Sequence, residues 1–278
     1  MVWGEEMKRV AIIGCGAIGS EIARAIDEGY VEADLVALYD VIKEKCEELA
    51  SKLTKCKPLI ASSIDEVLAT SPNIVVEAAS QEAVKQYAEK VLKSGADLVV
   101  LSVGALMDVE LVERIKEAAR EGNARVYVPS GAIAGLDAIR ALRKVGIERV
   151  LLRTRKPPKS IKPCETLKFD PSKVVQPTVV FRGKASEAVK VLPFNVNVSA
   201  ALSLASGMDI EVEVVADPTI EKNVHEIIVE SKASRITIRI ENVPSPTNPR
   251  TSYLASLSAI ELLRKLCSGS GYEIVVGT

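Results

Sequence analysis

Over the first 130 residues, short apolar runs alternate with segments whose apolar positions recur every three or four residues. The β-branched run Arg9–Ile13 predicts a strand, and Ile18–Asp27 predicts the helix after it. Leu35–Tyr39 predicts a second strand, followed by a charged helix over Ile42–Leu53. Lys57–Ala61 reads as a short strand and Ile64–Ala69 as a helical turn. Asn73–Ala78, Asp97–Ser102 and Arg125–Val128 are further strands, separated by amphipathic helices over Gln81–Lys93 and Val109–Glu121. Near-continuous apolar strands alternating with helices predict a parallel sheet covered on both faces. The fold class is α/β, a Rossmann-type doubly wound sheet of the kind that binds dinucleotides.

The pattern changes after Pro129. Lys156-Pro157-Pro158-Lys159 and the stretch from Pro163 to Pro177 read as loops. Beyond them apolar and polar residues alternate in period two, as in Ile236-Thr237-Ile238-Arg239-Ile240, which marks a sheet with one buried and one wet face. Glu148–Arg155, Thr178–Arg182, Ile210–Ala216, Val224–Glu230 and Arg235–Glu241 predict an antiparallel or mixed sheet, with helices over Glu187–Val191 and Ser199–Ala205. A proline-rich turn (Pro244, Pro246, Pro249) precedes a last helix over Ser252–Leu266, where Leu254, Leu257, Leu262 and Leu266 suggest a buried stripe. The expected organisation is a dinucleotide-binding domain over 1–130, rejoined by a C-terminal helix within 250–278, and an α+β substrate and dimerisation domain over 131–249.

Gly14-Cys15-Gly16-Ala17-Ile18-Gly19 is a GxGxxG sequence. Alone it is a weak signal; here it follows a predicted strand and opens a predicted helix, the context that gives it meaning. The first glycine permits a tight turn, the second lets a pyrophosphate approach the backbone, and the third lets helix and strand pack closely. The helix N-terminus offers N–H groups and a positive dipole end to the phosphates. Asp40 ends the second strand 21 residues beyond Gly19. A carboxylate there accepts from the adenosine ribose hydroxyls and repels a 2′-phosphate, so NAD is favoured over NADP. Lys43 and Lys45 are near enough in sequence to soften that preference and admit NADP as well. Ala78-Ala79-Ser80 and Ser102-Val103-Gly104 fall at further strand ends, where ligands of parallel sheets bind.

Composition narrows the chemistry. The chain has 278 residues, enough for two domains and a core that needs no metal or disulfide. Its 36 basic and 37 acidic residues nearly cancel, and aromatic residues make up 4%, which argues against a general nucleic-acid binder. Five scattered cysteines with no CxxC pair suggest reduced thiols in a cytosolic chain. No apolar run reaches the roughly 18 residues needed to span a bilayer. Met1–Glu6 is too short and too acidic for a signal peptide, so a cytoplasmic location is expected. A single histidine, His225, rules out a multi-histidine metal site, and no metal is expected. It opens the Val224–Glu230 strand on the face of Ile227 and Val229, where a satisfied core histidine is the plainer explanation. Its place in the domain expected to carry substrate, and a pKa suited to proton transfer, make it the catalytic candidate.

Several segments resemble those of the L-aspartate dehydrogenase family, in the family's order and from Lys8 to Leu266. They are Tyr127–Ala138, Thr154–Pro158, Asn195–Ala200, Ala216-Asp217-Pro218, Asn223–Ile227 and Glu241–Pro249. The resemblance implies a second domain of the dihydrodipicolinate reductase and homoserine dehydrogenase type. It also implies NAD(P)-dependent oxidation of L-aspartate to iminoaspartate, which hydrolyses to oxaloacetate and ammonia or feeds quinolinate synthase and NAD synthesis. The family's catalytic histidine carries over to His225. Its cofactor contacts carry over to Ala132 and Asn195, with Asn197 a close competitor. A homodimer is implied as well. For the two substrate carboxylates the candidate donors are Arg155 and Lys156, or the neutral groups of Ser130, Gly131, Ile133, Asn195 and Asn197. The alternatives are a homoserine dehydrogenase or dihydrodipicolinate reductase-like enzyme, and a non-catalytic NAD(H)-binding regulator.

Overall fold

A computed structural model describes residues 7–161, 169–192, 196–246 and 248–268. Among the described residues the chain forms two compact units, one from residues 7–129 with 256–268 and one from 130–255.

In the first unit the elements run β1 (Lys8–Ile13), α1 (Ala17–Asp27), β2 (Ala33–Tyr39), α2 (Lys43–Lys52), β3 (Leu59–Ile60), α3 (Ile64–Ala69), β4 (Ile74–Glu77), α4 (Gln81–Lys93), β5 (Asp97–Val100), α5 (Val109–Glu121) and β6 (Val126–Tyr127). The six strands are parallel in the order β3-β2-β1-β4-β5-β6. That order reverses direction between β1 and β4, the switch point at which doubly wound sheets bind ligands. Strand interiors are apolar on both faces because helices cover both; Val10, Ile12, Val75, Val76 and Val99 are all buried. Side chains cap three of the helices: Ser63 accepts from Glu66 N (3.2 Å), Ser80 from Ala83 N (3.1 Å) and Asp108 from Leu111 N (3.1 Å).

The second unit contains α6 (Leu136–Leu142), β7 (Ile147–Lys156), β8 (Thr178–Lys184), α7 (Ala185–Val191), α8 (Asn197–Ser206), β9 (Glu211–Ala216), β10 (Asn223–Ser231), β11 (Arg235–Asn242), β12 (Pro244–Ser245) and β13 (Asn248–Ser252). Its five-stranded sheet has the order β11-β10-β7-β9-β8 and is mixed, with only β7 and β9 parallel. Val150, Leu152, Val212, Val214, Ile227 and Val229 are buried on one face. The other face carries Arg149, Arg153, Arg182, Glu211 and Glu213 in ion pairs, which is why the sequence alternates in period two.

Two readings of the sequence change. The proline-rich stretch after Asn242 is a two-stranded hairpin of β12 and β13; its strands are short, so Pro244 takes an edge position where a missing N–H costs little. The last helix, α9 (Tyr253–Cys267), does not bury the predicted leucine stripe: Leu254 and Leu257 are exposed. Its buried residues are Ser256, Ala259, Ile260 and Leu263, which at about 100° per residue fall within one narrow arc. Leu262 and Leu266 lie at its edge, partly buried. Ala259, Ile260 and Leu263 join the core of the first unit with Ile22, Ile26 and Leu35.

Candidate active site

Between β1 and α1 the chain turns sharply at Gly14 (φ +101°), a conformation L side chains disfavour. A Cβ there would lie 2.6 Å from the backbone of Ala78, so β1 and the loop after β4 cross with no room for a side chain. A Cβ at Gly19 would lie 1.9 Å from the Gly14 carbonyl oxygen, which fixes the third glycine by helix–strand packing. At Gly16, by contrast, a Cβ would meet nothing within 4 Å. Gly16 brings no side-chain cap, and the first turn of α1 holds no acidic residue. With no side-chain cap and no acid beside them, the first N–H groups of α1 suit an anion such as a pyrophosphate.

Asp40 braces this loop. Its Oδ2 accepts from Cys15 N (2.9 Å) and its Oδ1 from Ile42 N (3.0 Å), with Lys45 Nζ at 3.8 Å. Each oxygen keeps a second lone pair, so the carboxylate can still accept from a ribose hydroxyl. Gly14, Gly16, Asp40, Ala78, Ala79 and Ser80 line one cleft of about 260 Å³ with Lys45 and Tyr87. Ala17 and Ile18 open α1, and Ile18 packs partly against the core. Cys15 is buried with its sulfur 2.8 Å from that of Cys46; this contact and burial push its thiol pKa up. Cys15, Cys46, Cys56 and Cys267 are free thiols, and Cys164 lies outside the described residues.

Glu77, which the sequence reading did not single out, ties the other strand ends together. It ends β4 fully inside the protein. Its carboxylate accepts from Ala79 N (2.8 Å), Ser80 N (2.9 Å), Ser102 N (3.0 Å) and Ser102 Oγ (2.8 Å). Burial raises its pKa, and those bonds act in the opposite direction. Ser102, Val103 and Gly104 are accordingly buried, with the Ser102 hydroxyl committed to Glu77.

In the second unit, register brings the catalytic candidate to a polar cluster. His225 of β10 stands directly opposite Thr154 of β7, and its Nδ1 lies 2.9 Å from Thr154 Oγ1. Lys156, two residues beyond Thr154, shares that face. All three are buried. Burial and then the Lys156 charge push the His225 pKa down to about 3, so the ring is neutral. Burial lowers Lys156 to about 8. Asn223 lies on the same face of β10 and pairs across the sheet with Asn242 of β11. Asn242 Nδ2 donates to the Ala132 carbonyl (3.0 Å), which holds the turn Ser130–Ile133 to this end of the sheet.

The structure separates the two predicted cations. Lys156 joins His225, while Arg155 points to the other face and binds Asp217 through Nε (2.9 Å) and Nη2. Burial would raise the Asp217 pKa, but hydrogen bonds from Thr219 and Arg155 hold it below the ordinary value. In the turn, Gly131 has φ +64°, Ala132 and Ile133 are buried, and Ile133 N bonds Ser130 O (3.4 Å). Asn197 opens α8 and is exposed. Asn195 lies outside the described residues.

Two family models divide the chain between them. Residues 14–129 match the model described as homoserine dehydrogenase, NAD binding domain, and residues 137–266 match aspartate dehydrogenase, C-terminal. The glycine loop, the uncapped α1 and Asp40 fit the NAD that the first of these implies. An L-aspartate dehydrogenase of Methanosarcina acetivorans is 45% identical over 266 residues, 94% of this chain and 97% of that protein. One of Nitrosopumilus maritimus is 43% identical, covering 98% of this chain and 100% of its own. The crystal structure of aspartate dehydrogenase from Thermotoga maritima superposes with a TM-score of 0.75 at 30% identity, covering 98% of this chain and all of that one. With relatives so similar along nearly their whole length, the chain belongs to the L-aspartate dehydrogenase family.

Proposed function

We propose that this protein is an NAD-dependent dehydrogenase that oxidises L-aspartate to iminoaspartate, with His225 as the proton acceptor. The observation that carries the assignment of roles is the buried, neutral imidazole anchored by Thr154 beside Lys156. Bound NAD supplies the acceptor for the hydride that leaves Cα. The Gly14–Gly19 loop and Asp40 would hold it, with Ala78–Ser80 and Ser102–Gly104 at the strand ends, and the family resemblance assigns further cofactor contacts to Ala132 and Asn195.

The substrate's ammonium must lose a proton before its nitrogen lone pair can form the C=N bond as hydride departs. His225 takes that proton at Nε2 while Nδ1–H donates to Thr154 Oγ1. The Lys156 ammonium pairs with a substrate carboxylate on the same face, and the Ser130–Ile133 turn supplies neutral donors. A carboxylate beside Lys156 offsets the charge that lowers the imidazole pKa, moving His225 toward the range where a base is effective. The product, an iminium, leaves with the aspartate skeleton intact. It hydrolyses to oxaloacetate and ammonia or passes to a quinolinate synthase.

The family resemblance also supports a cytoplasmic homodimer. No helix among the described residues is long and apolar enough to cross a membrane.

The test is aspartate-dependent NADH formation by the wild type and by His225→Ala. The variant should lose about 10²–10⁴ in kcat while binding NADH normally. A folded variant with near-wild-type kcat would overturn the role of His225. Wild-type turnover of homoserine rather than aspartate would overturn the substrate.

A further inference from the structure

Two buried acceptors near His225 have no partner among the described residues. The side-chain oxygens of Asn223 and Asn242 are sealed from solvent and accept no hydrogen bond, although both residues are more than nine-tenths buried. Buried amide oxygens are nearly always satisfied, and an unsatisfied one costs stability, so such a pair calls for an explanation. The two residues face each other directly across β10 and β11. Cross-strand neighbours of this kind have Cβ atoms about 5 Å apart. His225 is two residues along the same face, about 7 Å away. The orientation of Asn242 is fixed, because its Nδ2 is held by the Ala132 carbonyl and its oxygen therefore cannot trade places with its nitrogen.

We propose that Asn223 Oδ1 and Asn242 Oδ1 are the receptor for the amino nitrogen of the substrate, and so set the requirement for an amino acid over a plain dicarboxylate. The inference rests on the reading of the site as an aspartate dehydrogenase. The chemistry of the acceptors suits the reaction. The substrate nitrogen is an ammonium on entry, an amine after the proton leaves and an iminium at the end. It keeps at least two N–H donors throughout, enough for two amide oxygens. A carboxylate in the same place would hold the proton on the ammonium by raising its pKa. A neutral amide oxygen binds the nitrogen in every form and leaves the proton free to pass to His225. Lys156, on the same face, supplies charge for a carboxylate and repels the ammonium, which sorts the two ends of the substrate.

The experiment compares aspartate with succinate, which has both carboxylates and no nitrogen, in the NADH complex of the full-length protein. Dissociation constants are measured for the wild type, Asn223→Val and Asn223→Asp, with circular dichroism and NADH affinity as checks on folding. Asn223→Val should weaken aspartate about 10- to 100-fold and leave succinate within about twofold, since only the nitrogen loses a hydrogen bond to a charged group. Asn223→Asp, which keeps an acceptor, should restore aspartate binding but lower kcat and shift its pH profile to higher pH, because the added charge retains the proton. Equal losses for aspartate and succinate in Asn223→Val would overturn the proposal and leave Asn223 a structural residue. A wild type that oxidises no aspartate would instead overturn the functional reading itself.

Discussion

Replacing Lys156 by Met should make the protein more stable and less active. The lysine is buried, and burial alone lowers its pKa from 10.5 to about 8. At about 1.4 kcal/mol for each pH unit, keeping it charged inside the fold costs about 3 kcal/mol at neutral pH. Between pH 8 and 10.5 the unfolded chain holds a proton here that the folded chain has released, so wild-type stability rises with pH over that window. Above pH 10.5 the lysine is neutral in both states and the cost is gone. A Met side chain fills similar volume without charge, so the gain should approach 3 kcal/mol at pH 7 and fade toward pH 10.5. With a urea m-value of about 3 kcal/mol/M, that is a rise of about 1 M in the midpoint, read by circular dichroism. The same change should raise the pKa of His225, whose lowering owes part of its size to the Lys156 charge. Because the chain has one histidine, its ring C–H resonances report this without ambiguity. Affinity for succinate should fall at least tenfold. A midpoint that drops at pH 7, or a gain that is the same at pH 7 and 10.5, would refute the reasoning.

Three further outcomes follow from the first unit. Gly16→Ala should weaken NAD binding at least tenfold with little change in thermal stability, whereas Gly19→Ala should lose both, at a cost of about 1–3 kcal/mol, because only the latter's methyl meets backbone. Calorimetric NAD titrations beside melting curves separate them; two variants with the same profile would contradict the assignment of Gly16 to the cofactor. Asp40→Ala should weaken NAD binding and shift the NAD-to-NADP affinity ratio toward NADP, and an unchanged ratio would count against a ribose contact. Asp27 accepts from Cys56 N, Lys55 N and both Thr54 donors, which hold its pKa below the ordinary value. Its contribution is therefore full above about pH 4 and is lost as pH falls through the native pKa. Asp27→Asn should cost about 2–3 kcal/mol at pH 7 and flatten the acid limb of the stability curve.

The first unit was largely legible because its signals are local. Its strands are continuous apolar runs, its longer helices have strong periodicity, and the glycine loop sits where one ends and the other begins. α4 and α5 are found with the boundaries that the periodicity predicts. What escaped was tertiary. Glu77 looks like a strand-end acid until the adjacent ends of β4 and β5 are seen to aim four donors at it. The same holds in the second unit. Alternation gave the strands, but only the register of β7 against β10 puts Lys156 with His225 and Arg155 on the opposite face, two neighbours in sequence with opposite surroundings. Asn223 and Asn242 are separated by a hairpin and become a pair only through the register of β10 and β11. α6 was missed because seven residues opening on a left-handed Gly135 are too few for a period to show.

The helix α9 bears on how the protein is made. Among the described residues the second unit is one continuous stretch, 130–255, and nearly all of it is synthesised before α9, which begins at Tyr253. The first unit is not: Ala259, Ile260 and Leu263 share a core with Val10, Ile12 and Ile22, some 240 residues earlier in the chain. On the ribosome, therefore, the half that begins first is finished last, and its sheet waits with part of one apolar face uncovered while the downstream unit folds. A chain interrupted before residue 256 therefore carries every glycine of the loop on a scaffold whose core still lacks Ala259, Ile260 and Leu263.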